Sequence, residues 1–593
     1  MSNHLAVARA LADLKANPEQ DAAARKREHC VVLAGPGSGK TKTLTTAIAR
    51  TLVEDVIDPR GIACITYNNE CAIELETRLA KLGIVGSERN FIGTVHSFAL
   101  TQVIAPYARC IRGFLPENYR VATPAQARAA VEAAYDSVFD EPGDPQERWR
   151  FAEVKRRRDV DRDADAWRGD NPELADFISA YEAELRNRGL IDFDDMPLIA
   201  YRMIKTHRWI REALRARFPV LFVDEYQDLG HALHELVLLL CFDGGIRLFA
   251  VGDADQSIYG FTGANPALLL QLTERVGVET IRLRFNYRSG AKIIRASMGA
   301  LGEERDYRGL DDRPEGELSF WPAKGDHAHQ AQHLAETVLP ALLSQGFPLE
   351  QIAILYRAAW LGDKVAEALE SVGTPFVRTD ANALIKRSSR LARFIEACAG
   401  WVAGGWRDAE PPYSRLLGQA LGIVYGGRAS DAEEQELSRQ LISFLNAGIG
   451  AGETAHAWLQ RLNRVLIGPW QAISRNAHQE WEVCSDLTKK TDPATDRDLP
   501  LNVFAGRAEG TGRATLSTLH SAKGREFDAV ILFGMNDGDI PSWRDKKNER
   551  ALREARRLFY VGATRARRAL CIVYQDKNHS PWVAELYRRS QQT

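Results

Sequence analysis

The sequence lacks the features that mark secreted, membrane and metal-cluster proteins. Its 593 residues include eight cysteines but no Cys-x-x-Cys pair, which argues against zinc or iron–sulfur sites and favours a reducing compartment. No run of about 18 apolar residues occurs, and the start, Met1-Ser2-Asn3-His4, has no basic-then-apolar secretion signal. We therefore expect a cytoplasmic protein with no membrane segment.

An excess of charge of one sign is also missing. The 77 Lys and Arg residues nearly balance the 79 Asp and Glu residues, which leaves a net charge of −2. This balance excludes a protein coated with positive charge, but it allows nucleic-acid binding through a local basic groove. Because 45% of the residues are hydrophobic, the chain can bury large cores, and its length predicts about four domains.

A glycine-rich segment after the first apolar run predicts a nucleotide site. The run Cys30-Val31-Val32-Leu33 reads as a buried strand, and a helical stretch begins at Lys42. Between them, backbone N–H groups can surround phosphates, Lys40 can reach the outer phosphates, and the Thr41 hydroxyl can hold magnesium. We predict ATP and Mg²⁺ as cofactors, held by Gly35, Gly37, Ser38, Gly39, Lys40, Thr41 and Lys42.

Two later apolar runs end in polar residues that suit phosphate chemistry. Val220-Leu221-Phe222-Val223 precedes Asp224 and Glu225, which we predict to hold magnesium and to orient or deprotonate the attacking water. The next run, Arg247-Leu248-Phe249-Ala250-Val251, leads to Gln256, whose amide suits sensing of a terminal phosphate. Tyr259 and Phe261 follow as faces for base stacking, with core packing as the alternative for either ring.

These three strand ends, in this order, resemble the UvrD/PcrA/Rep family of superfamily 1A DNA helicases. Asn17-Pro18-Glu19-Gln20 is similar to the family's adenine-reading motif, which implies an adenine contact from Gln20. Asn286-Tyr287-Arg288-Ser289 is similar to the motif whose Tyr stacks on adenine and whose Arg touches the terminal phosphate. The resemblance also implies that Glu526 approaches the ribose and that Arg565 is a second phosphate-sensing arginine.

The same resemblance extends to motifs that contact single-stranded DNA. Thr66-Tyr67-Asn68-Asn69 and Gly93-Thr94-Val95-His96-Ser97-Phe98 are similar to two such motifs, and a third begins at Thr518. Arg357, after the apolar run at 352–356, is a further candidate. The implied DNA contacts, with those in the preceding paragraphs, are Tyr67, Thr94, His96, Tyr259, Phe261, Arg357, Thr518 and His520.

The motifs imply an α/β fold with two RecA-like P-loop NTPase cores, in which parallel sheets are flanked by helices. We expect the first core at 1–100 and 195–283 and the second at 284–375 and 511–593. Each core carries a mostly helical insertion, at 101–194 and, in reduced form, at 376–510. The basic run Lys155-Arg156-Arg157-Arg158 lies in the first insertion, as a solvated helix face or as a phosphate-binding surface.

The resemblance implies an ATP-dependent 3′–5′ DNA helicase or translocase that acts on single-stranded DNA and on duplexes with a 3′ tail, in repair or replication restart. Four departures support an alternative: Glu70-Cys71-Ala72 replaces a usual Lys-Ala-Ala run, Phe261 replaces a Trp, Thr262 replaces an Arg, and the second insertion is short. The alternative is a nucleotide-gated DNA-sensing subunit for a separate nuclease, as in bacterial antiviral defence, with weak unwinding of its own. A separate repair protein is another candidate partner, and action on RNA stays open because no motif reads a 2′-hydroxyl.

Overall fold

The fold is described from a computed structural model of the chain. It covers all residues except 1, 67–68, 85–88, 113, 117, 141, 170, 261–262, 381, 386–388, 409–410, 427–428, 475–479, 493–498, 506–511 and 592–593. The chain forms two compact units. The first contains Met1–Ile294, Glu303–Arg313 and Arg553–Arg557, and the second contains Arg295–Gly302, Pro314–Leu552 and Leu558–Thr593.

The first unit is built on a six-stranded sheet in which every pairing is parallel. Its strands have the spatial order β3-β2-β6-β7-β1-β8. Continuous apolar runs form the central strands because helices cover both faces of a parallel sheet. Consecutive residues of β1, such as Val31 and Val32, point to opposite faces of the sheet and enter separate hydrophobic clusters there. The strands are β1 (His29–Ala34), β2 (Ala63–Thr66), β3 (Phe91–Thr94), β6 (Val220–Val223), β7 (Arg247–Gly252) and β8 (Val278–Leu283).

Helices account for most of the rest of the first unit. A two-stranded parallel ribbon of β4 (Arg120–Val121) and β5 (Leu190–Ile191) brackets the helices α7 to α10. The helices of this unit are α1 (Ser2–Leu14), α2 (Pro18–Arg25), α3 (Lys40–Arg50), α4 (Asn69–Lys81), α5 (Val95–Phe98), α6 (Ala105–Tyr107), α7 (Pro124–Val138), α8 (Pro145–Arg158), α9 (Ala166–Gly169), α10 (Pro172–Asn187), α11 (Met196–Thr206), α12 (Arg208–Arg217), α13 (His231–Leu238) and α14 (Ala267–Thr273). A fifteenth helix, α15 (Ala291–Leu301), runs on into the second unit.

The basic run at the end of α8 is a correction to the sequence analysis. Lys155 and Arg156 are buried, so a solvated helix face is wrong for both. Arg156 donates from Nη1 to Asp192 Oδ2 at 2.9 Å and from Nε to Asp195 Oδ1 at 3.0 Å. Lys155 Nζ donates to Asp159 Oδ2 at 2.8 Å. Arg156 thus attaches α8 to the acidic segment that precedes α11, whereas Lys155 pairs with Asp159, the residue that follows its own helix.

The second unit contains a second six-stranded sheet, again with every pairing parallel. The spatial order is β11-β12-β10-β13-β14-β9, and a cluster of buried side chains packs against the sheet. Strand β10 therefore lies between β12 and β13, and the carboxyl ends of the three strands point the same way. The strands are β9 (Glu317–Ala323), β10 (Ile352–Tyr356), β11 (Phe376–Arg378), β12 (Ala514–Thr518), β13 (Phe527–Leu532) and β14 (Ala566–Gln575).

Between β11 and β12 the chain forms a helical insertion with a hydrophobic core of its own. Trp458 and Trp470 are completely buried in that core. The helices of the second unit are α16 (His327–His333), α17 (Leu339–Ser344), α18 (Ala359–Ser371), α19 (Arg390–Gly400), α20 (Trp406–Asp408), α21 (Tyr413–Tyr425), α22 (Asp431–Gly448), α23 (Ala455–Leu462), α24 (Gly468–Ile473), α25 (Glu482–Lys490), α26 (Leu501–Phe504) and α28 (Pro581–Gln591). The remaining helix, α27 (Glu549–Ala563), belongs to the second unit except for Arg553–Arg557, which belong to the first.

Parallel sheets flanked by helices, with helical segments inserted between their strands, confirm the predicted fold class. Among the described residues, no helix combines the length and apolar character needed to cross a membrane.

Candidate active site

The glycine-rich loop joins β1 to α3 and is packed so closely that two of its positions need glycine. Gly37 and Gly39 have φ values of 67° and 79°, in the left-handed region that side chains disfavour. A Cβ atom at Gly37 would lie 2.5 Å from the Arg288 Cβ, and one at Gly39 would lie 2.5 Å from Gln20 Nε2. The loop therefore sits directly against two of the predicted nucleotide-binding residues.

Hydrogen bonds attach the predicted adenine-binding residues to the same loop. Gln20 Nε2 donates to the Ser38 carbonyl oxygen at 2.8 Å, and the Tyr287 amide donates to the Gly37 carbonyl oxygen at 2.7 Å. Asn17 begins α2 as its N-cap and donates from Nδ2 to the Tyr287 hydroxyl at 2.7 Å. Gln20 and Tyr287 thus lie together although they are far apart in the sequence.

The predicted lysine and carboxylates meet at the carboxyl end of β6. Lys40 Nζ lies 3.6 Å from Glu225 Oε1, and Asp224 is buried next to them. Burial, reinforced by the Glu225 carboxylate and opposed by Lys40, raises the pKa of Asp224 to about 7. Glu225 has φ 49° and ψ 46° and is the one non-glycine residue with positive φ in the described part of the chain. Such strain at a carboxylate is typical of functional sites.

Gln227 joins Glu225 to the neighbouring strand end, a role that the sequence analysis missed. Its Nε2 donates to Glu225 Oε2 at 2.5 Å, while its Oε1 accepts from the Asp253 amide at 2.8 Å. Gln256 in turn donates from Nε2 to Asp253 Oδ2 at 2.6 Å. Gln227, Asp253 and Gln256 are all buried. The chain of contacts from Glu225 to Gln256 therefore runs entirely through buried side chains and one backbone amide.

A segment at 303–313 packs against the loop and was also missed by the sequence analysis. A Cβ atom at Gly35 would lie 2.4 Å from Tyr307 Cε1, so the tyrosine ring occupies the space that a side chain would need. Arg305 forms a two-point ion pair with Asp255, at 2.6 Å from Nε and 2.9 Å from Nη2. The segment thus contacts both the phosphate loop and the strand end that carries Gln256.

The residues present fit ATP and magnesium. Lys40 Nζ is buried and has no hydrogen-bond partner within the described structure, although an unbonded buried ammonium group is costly. Phosphate oxygens at the loop would supply acceptors, and the Thr41 hydroxyl at the start of α3 suits a metal ligand. Asp224 provides the carboxylate on which such an ion would depend. Lys42 is exposed in the first turn of α3.

Two of the predicted DNA contacts in the first unit lie where β3 ends. Thr94 Oγ1 accepts from the Ser97 amide at 3.3 Å and so begins α5. The His96 ring stacks on Phe193, with centroids 4.3 Å apart and planes at 12°. Phe193 is partly exposed and was not predicted as a site residue, although its position in an acidic segment is an unusual one for an apolar ring.

Tyr259 lies in the loop that follows Gln256. The next residue, Gly260, donates its amide to Glu554 Oε1 at 2.9 Å, and the Tyr259 carbonyl oxygen accepts from the Ala264 amide at 3.2 Å. The predicted contacts Tyr67 and Phe261 lie outside the described residues.

In the second unit, the predicted DNA contacts lie at the carboxyl ends of neighbouring strands. Thr518 ends β12 and accepts from the Ser521 amide at 3.1 Å, while Arg357 directly follows β10. Burial, with help from the charges of Arg357 and Lys523, lowers the pKa of His520 to about 4. His520 is therefore neutral at pH 7, and it can form hydrogen bonds there without adding positive charge.

The two remaining predicted nucleotide contacts, Glu526 and Arg565, also belong to the second unit. Arg565 is buried and donates from Nε to the Val561 carbonyl oxygen at 2.9 Å and from Nη2 to Thr564 Oγ1 at 2.8 Å. Glu526 Oε1 accepts from Arg567 Nη2 at 2.7 Å. Their roles toward the ribose and the terminal phosphate stay predictions.

Comparison with known proteins identifies the family. The model of the UvrD/REP helicase N-terminal domain matches residues 16–277, and that of the UvrD-like helicase C-terminal domain matches residues 506–577. The chain is 27% identical to the ATP-dependent DNA helicase UvrD2 of Mycobacterium tuberculosis, over 93% of this chain and 77% of the relative. It is 26% identical to the ATP-dependent DNA helicase PcrA of Leuconostoc citreum, over 93% and 81%. With DNA helicase II of Escherichia coli it shares 28% identity over 98% and 86%.

The matches run through both units and include the phosphate loop, the carboxylate pair after β6 and the end of α27. They agree with the geometry of the site, in which motifs that are far apart in the sequence lie together around the phosphate loop. The chain therefore belongs to the UvrD/PcrA/Rep-like family of ATP-dependent DNA helicases.

Proposed function

We propose that the chain hydrolyses ATP to move 3′ to 5′ along single-stranded DNA and to separate duplexes that carry a 3′ tail, in DNA repair or replication restart. The observation that carries the proposal is the constellation of Lys40, Glu225 and Gln227. A buried, unbonded ammonium group faces a strained carboxylate, and the buried amide of Gln227 ties that carboxylate to the strand that leads to Tyr259.

We assign the residues of this arrangement the following roles. ATP, when bound with magnesium, supplies the phosphoanhydride bond whose cleavage drives movement. Lys40 and the loop amides would hold the outer phosphates, and Asp224 would hold a magnesium ion. Glu225 would accept the proton of the attacking water, and Gln256 would respond to the terminal phosphate. Tyr259, Thr94 and His96 contact the strand in the first unit, and Arg357, Thr518 and His520 do so in the second.

The test is steady-state ATP hydrolysis with and without single-stranded DNA, for the wild type and two variants. Lys40→Ala and Glu225→Gln are each expected to lower turnover by at least about 100-fold, since each removes a group that acts in the transition state. Lys81→Ala, at an exposed lysine of α4, is the matched control and should behave as the wild type. Undiminished hydrolysis by Glu225→Gln would refute the site assignment.

Strand displacement tests the direction and separates the proposal from its alternative. Displacement from duplexes with a 3′ tail, and none from duplexes with a 5′ tail, is the expected result. DNA-stimulated hydrolysis without displacement from either substrate would instead support the DNA-sensing subunit of a nuclease complex, because such a subunit needs nucleotide gating and binding but little unwinding. Displacement from the 5′ tail alone would contradict the direction.

A further inference from the structure

An exposed tryptophan with two cations lies in the loop between β13 and α27. Trp543 is 60% exposed. The guanidinium carbon of Arg544 lies 5.1 Å from the centroid of its ring, and Lys547 Nζ lies 4.5 Å from it. We call Trp543, Arg544 and Lys547 the Trp543 patch. No motif of the sequence analysis includes it.

The loop that carries the patch is held firmly in place. Ser542 donates its amide to Asp545 Oδ2 at 2.7 Å, and Asp545 returns an amide hydrogen bond to Ser542 Oγ at 3.3 Å. Upstream, Asp539 Oδ2 lies 2.6 Å from His327 Nε2 and accepts from Asn536 Nδ2 at 2.9 Å. An ordered loop thus presents a large apolar ring to water, and the exposure of the ring is not a result of a loose chain.

The patch continues the row of predicted DNA contacts in the second unit. Asp545 is buried, and its Oδ1 lies 3.4 Å from Arg357 Nη2. Strands β12, β10 and β13 are consecutive in the sheet, and neighbouring strands are about 4.8 Å apart. His520 and Arg357 lie just after the carboxyl ends of β12 and β10, and the ion pair between Asp545 and Arg357 brings the loop of the patch, which lies further along the chain from β13, to the same edge.

The charges of the loop favour a polyanion. Four cations and two carboxylates lie at 544–550, where Asp545 is paired with Arg357 and Lys546 is paired with Asp537. This local excess of positive charge occurs in a chain whose net charge is −2. A protein partner would need a wider apolar surface, but Ile540, next in sequence to the cis-proline Pro541, is buried. A single ring flanked by cations suits a base and its phosphates.

We propose that the Trp543 patch is a further binding site for single-stranded DNA, where Trp543 stacks on a base and Arg544 and Lys547 contact the adjoining phosphates. This inference rests on the proposed function, and it lengthens the DNA path by one subsite beyond Arg357. Stacking on an indole ring tolerates any base because every base has a π-face. The site would also offset the missing arginine at Thr262. The patch also lies close in sequence to α27: Asn548 caps the start of this helix, and Arg565 follows shortly after its end.

The test is binding of a fluorescent oligothymidine to the full-length protein, followed by anisotropy. Trp543→Ala is expected to weaken binding by roughly 5- to 150-fold, the range for removal of one base–aromatic stack, and Trp543→Phe should recover most of the affinity. Trp406→Ala is the matched control. Trp406 is 40% exposed and has the Arg407 guanidinium carbon 5.2 Å from its ring centroid, but it lies in the helical insertion. The midpoint of thermal unfolding checks that each variant is folded.

The contribution of the two cations is measured separately, through the salt dependence of the affinity. Arg544→Gln with Lys547→Gln should make the slope of log affinity against log salt shallower by about 1.4, or about 0.7 for each phosphate that the protein no longer neutralises. Unchanged affinity in Trp543→Ala, or an equal loss of affinity in Trp406→Ala, would overturn this inference and leave the proposed function standing. A wild type that neither binds the oligonucleotide nor hydrolyses ATP faster in its presence would overturn both.

Discussion

At the scale of single residues, the amide of Gln227 has the most informative position in the site. One end donates to the carboxylate that we propose as the base, and the other accepts from the backbone of the strand end that leads to Gln256 and Tyr259. A Cβ atom at Gly252 would lie 2.6 Å from Gln227 Oε1, so the neighbouring strand leaves room for this side chain. Gln227 is thus placed to orient Glu225 and to connect it with the loop that carries Tyr259.

Gln227→Leu keeps the approximate volume and removes both hydrogen bonds. We expect turnover of ATP in the presence of single-stranded DNA to fall by about 10- to 100-fold, because a misoriented base loses the near-attack geometry. The KM for ATP should stay within about threefold of the wild type, since the loop and Lys40 are untouched. Steady-state kinetics over a range of ATP concentrations measure both quantities.

Gln330→Leu is the control for that variant. Gln330 is a buried glutamine of the second unit whose Oε1 has no hydrogen-bond partner within the described structure. Its substitution should leave both kinetic parameters unchanged. If Gln227→Leu lowered turnover and raised the KM together, the residue would be structural, and the positioning role would be wrong.

At the scale of secondary-structure elements, ion pairs attach the first helical insertion to the sheet-bearing part of the same unit. The Arg156 guanidinium lies between α8 and the segment at 192–195, with Tyr181 and Trp149 rings 5.1 and 5.7 Å from its central carbon. Burial raises the pKa of Asp195 to about 6, although Arg156 acts in the opposite sense. The arginine therefore keeps a buried acidic group ionised that would otherwise take up a proton.

Arg156→Met should destabilise the first unit by about 3–5 kcal/mol, because it leaves buried carboxylates without their cation. Arg158→Met is the matched control, since Arg158 ends the same helix with its side chain 51% exposed and pairs with Asp159 at the surface. That change should cost less than about 0.5 kcal/mol. Chemical denaturation gives the two free energies of unfolding, and limited proteolysis within α7 to α10 shows where the structure is weakened. Equal stability of the two variants would contradict the buried role of Arg156.

The same elements show how much of the fold and of the site could be predicted from the sequence. Strands β1, β6, β7 and β10 were predictable because buried parallel strands are continuous apolar runs, and the phosphate loop follows the first of them directly. The partners of Arg156 lie 36 and 39 residues further along the chain, so its local charge pattern does not distinguish a solvated face from a buried network. Gln227 and Tyr307 were missed for the same reason, since their contacts are formed only by the folded chain.

At the scale of the whole molecule, the balance of charge determines how DNA is attracted. With 77 basic and 79 acidic side chains, the protein has no general pull on a polyanion, and affinity must come from stacking and from a few local cations. His520 adds no charge at pH 7, since its pKa is lowered to about 4. Without His520, the cations along the proposed DNA path of the second unit are Arg357, which is paired with Asp545, and Lys523, Arg544 and Lys547.

Because stacking does not release counterions, this arrangement predicts a modest dependence of DNA affinity on salt. Each phosphate contact to a single strand contributes about −0.7 to the slope of log affinity against log salt concentration. Three or four contacts therefore predict a slope of about −2 to −3, which anisotropy titrations between about 50 and 300 mM salt would measure. His520 is not expected to change this slope between pH 6 and pH 8, since it stays neutral over that interval. A slope steeper than about −6 would reveal a broad basic surface and contradict a path that depends mainly on aromatic rings.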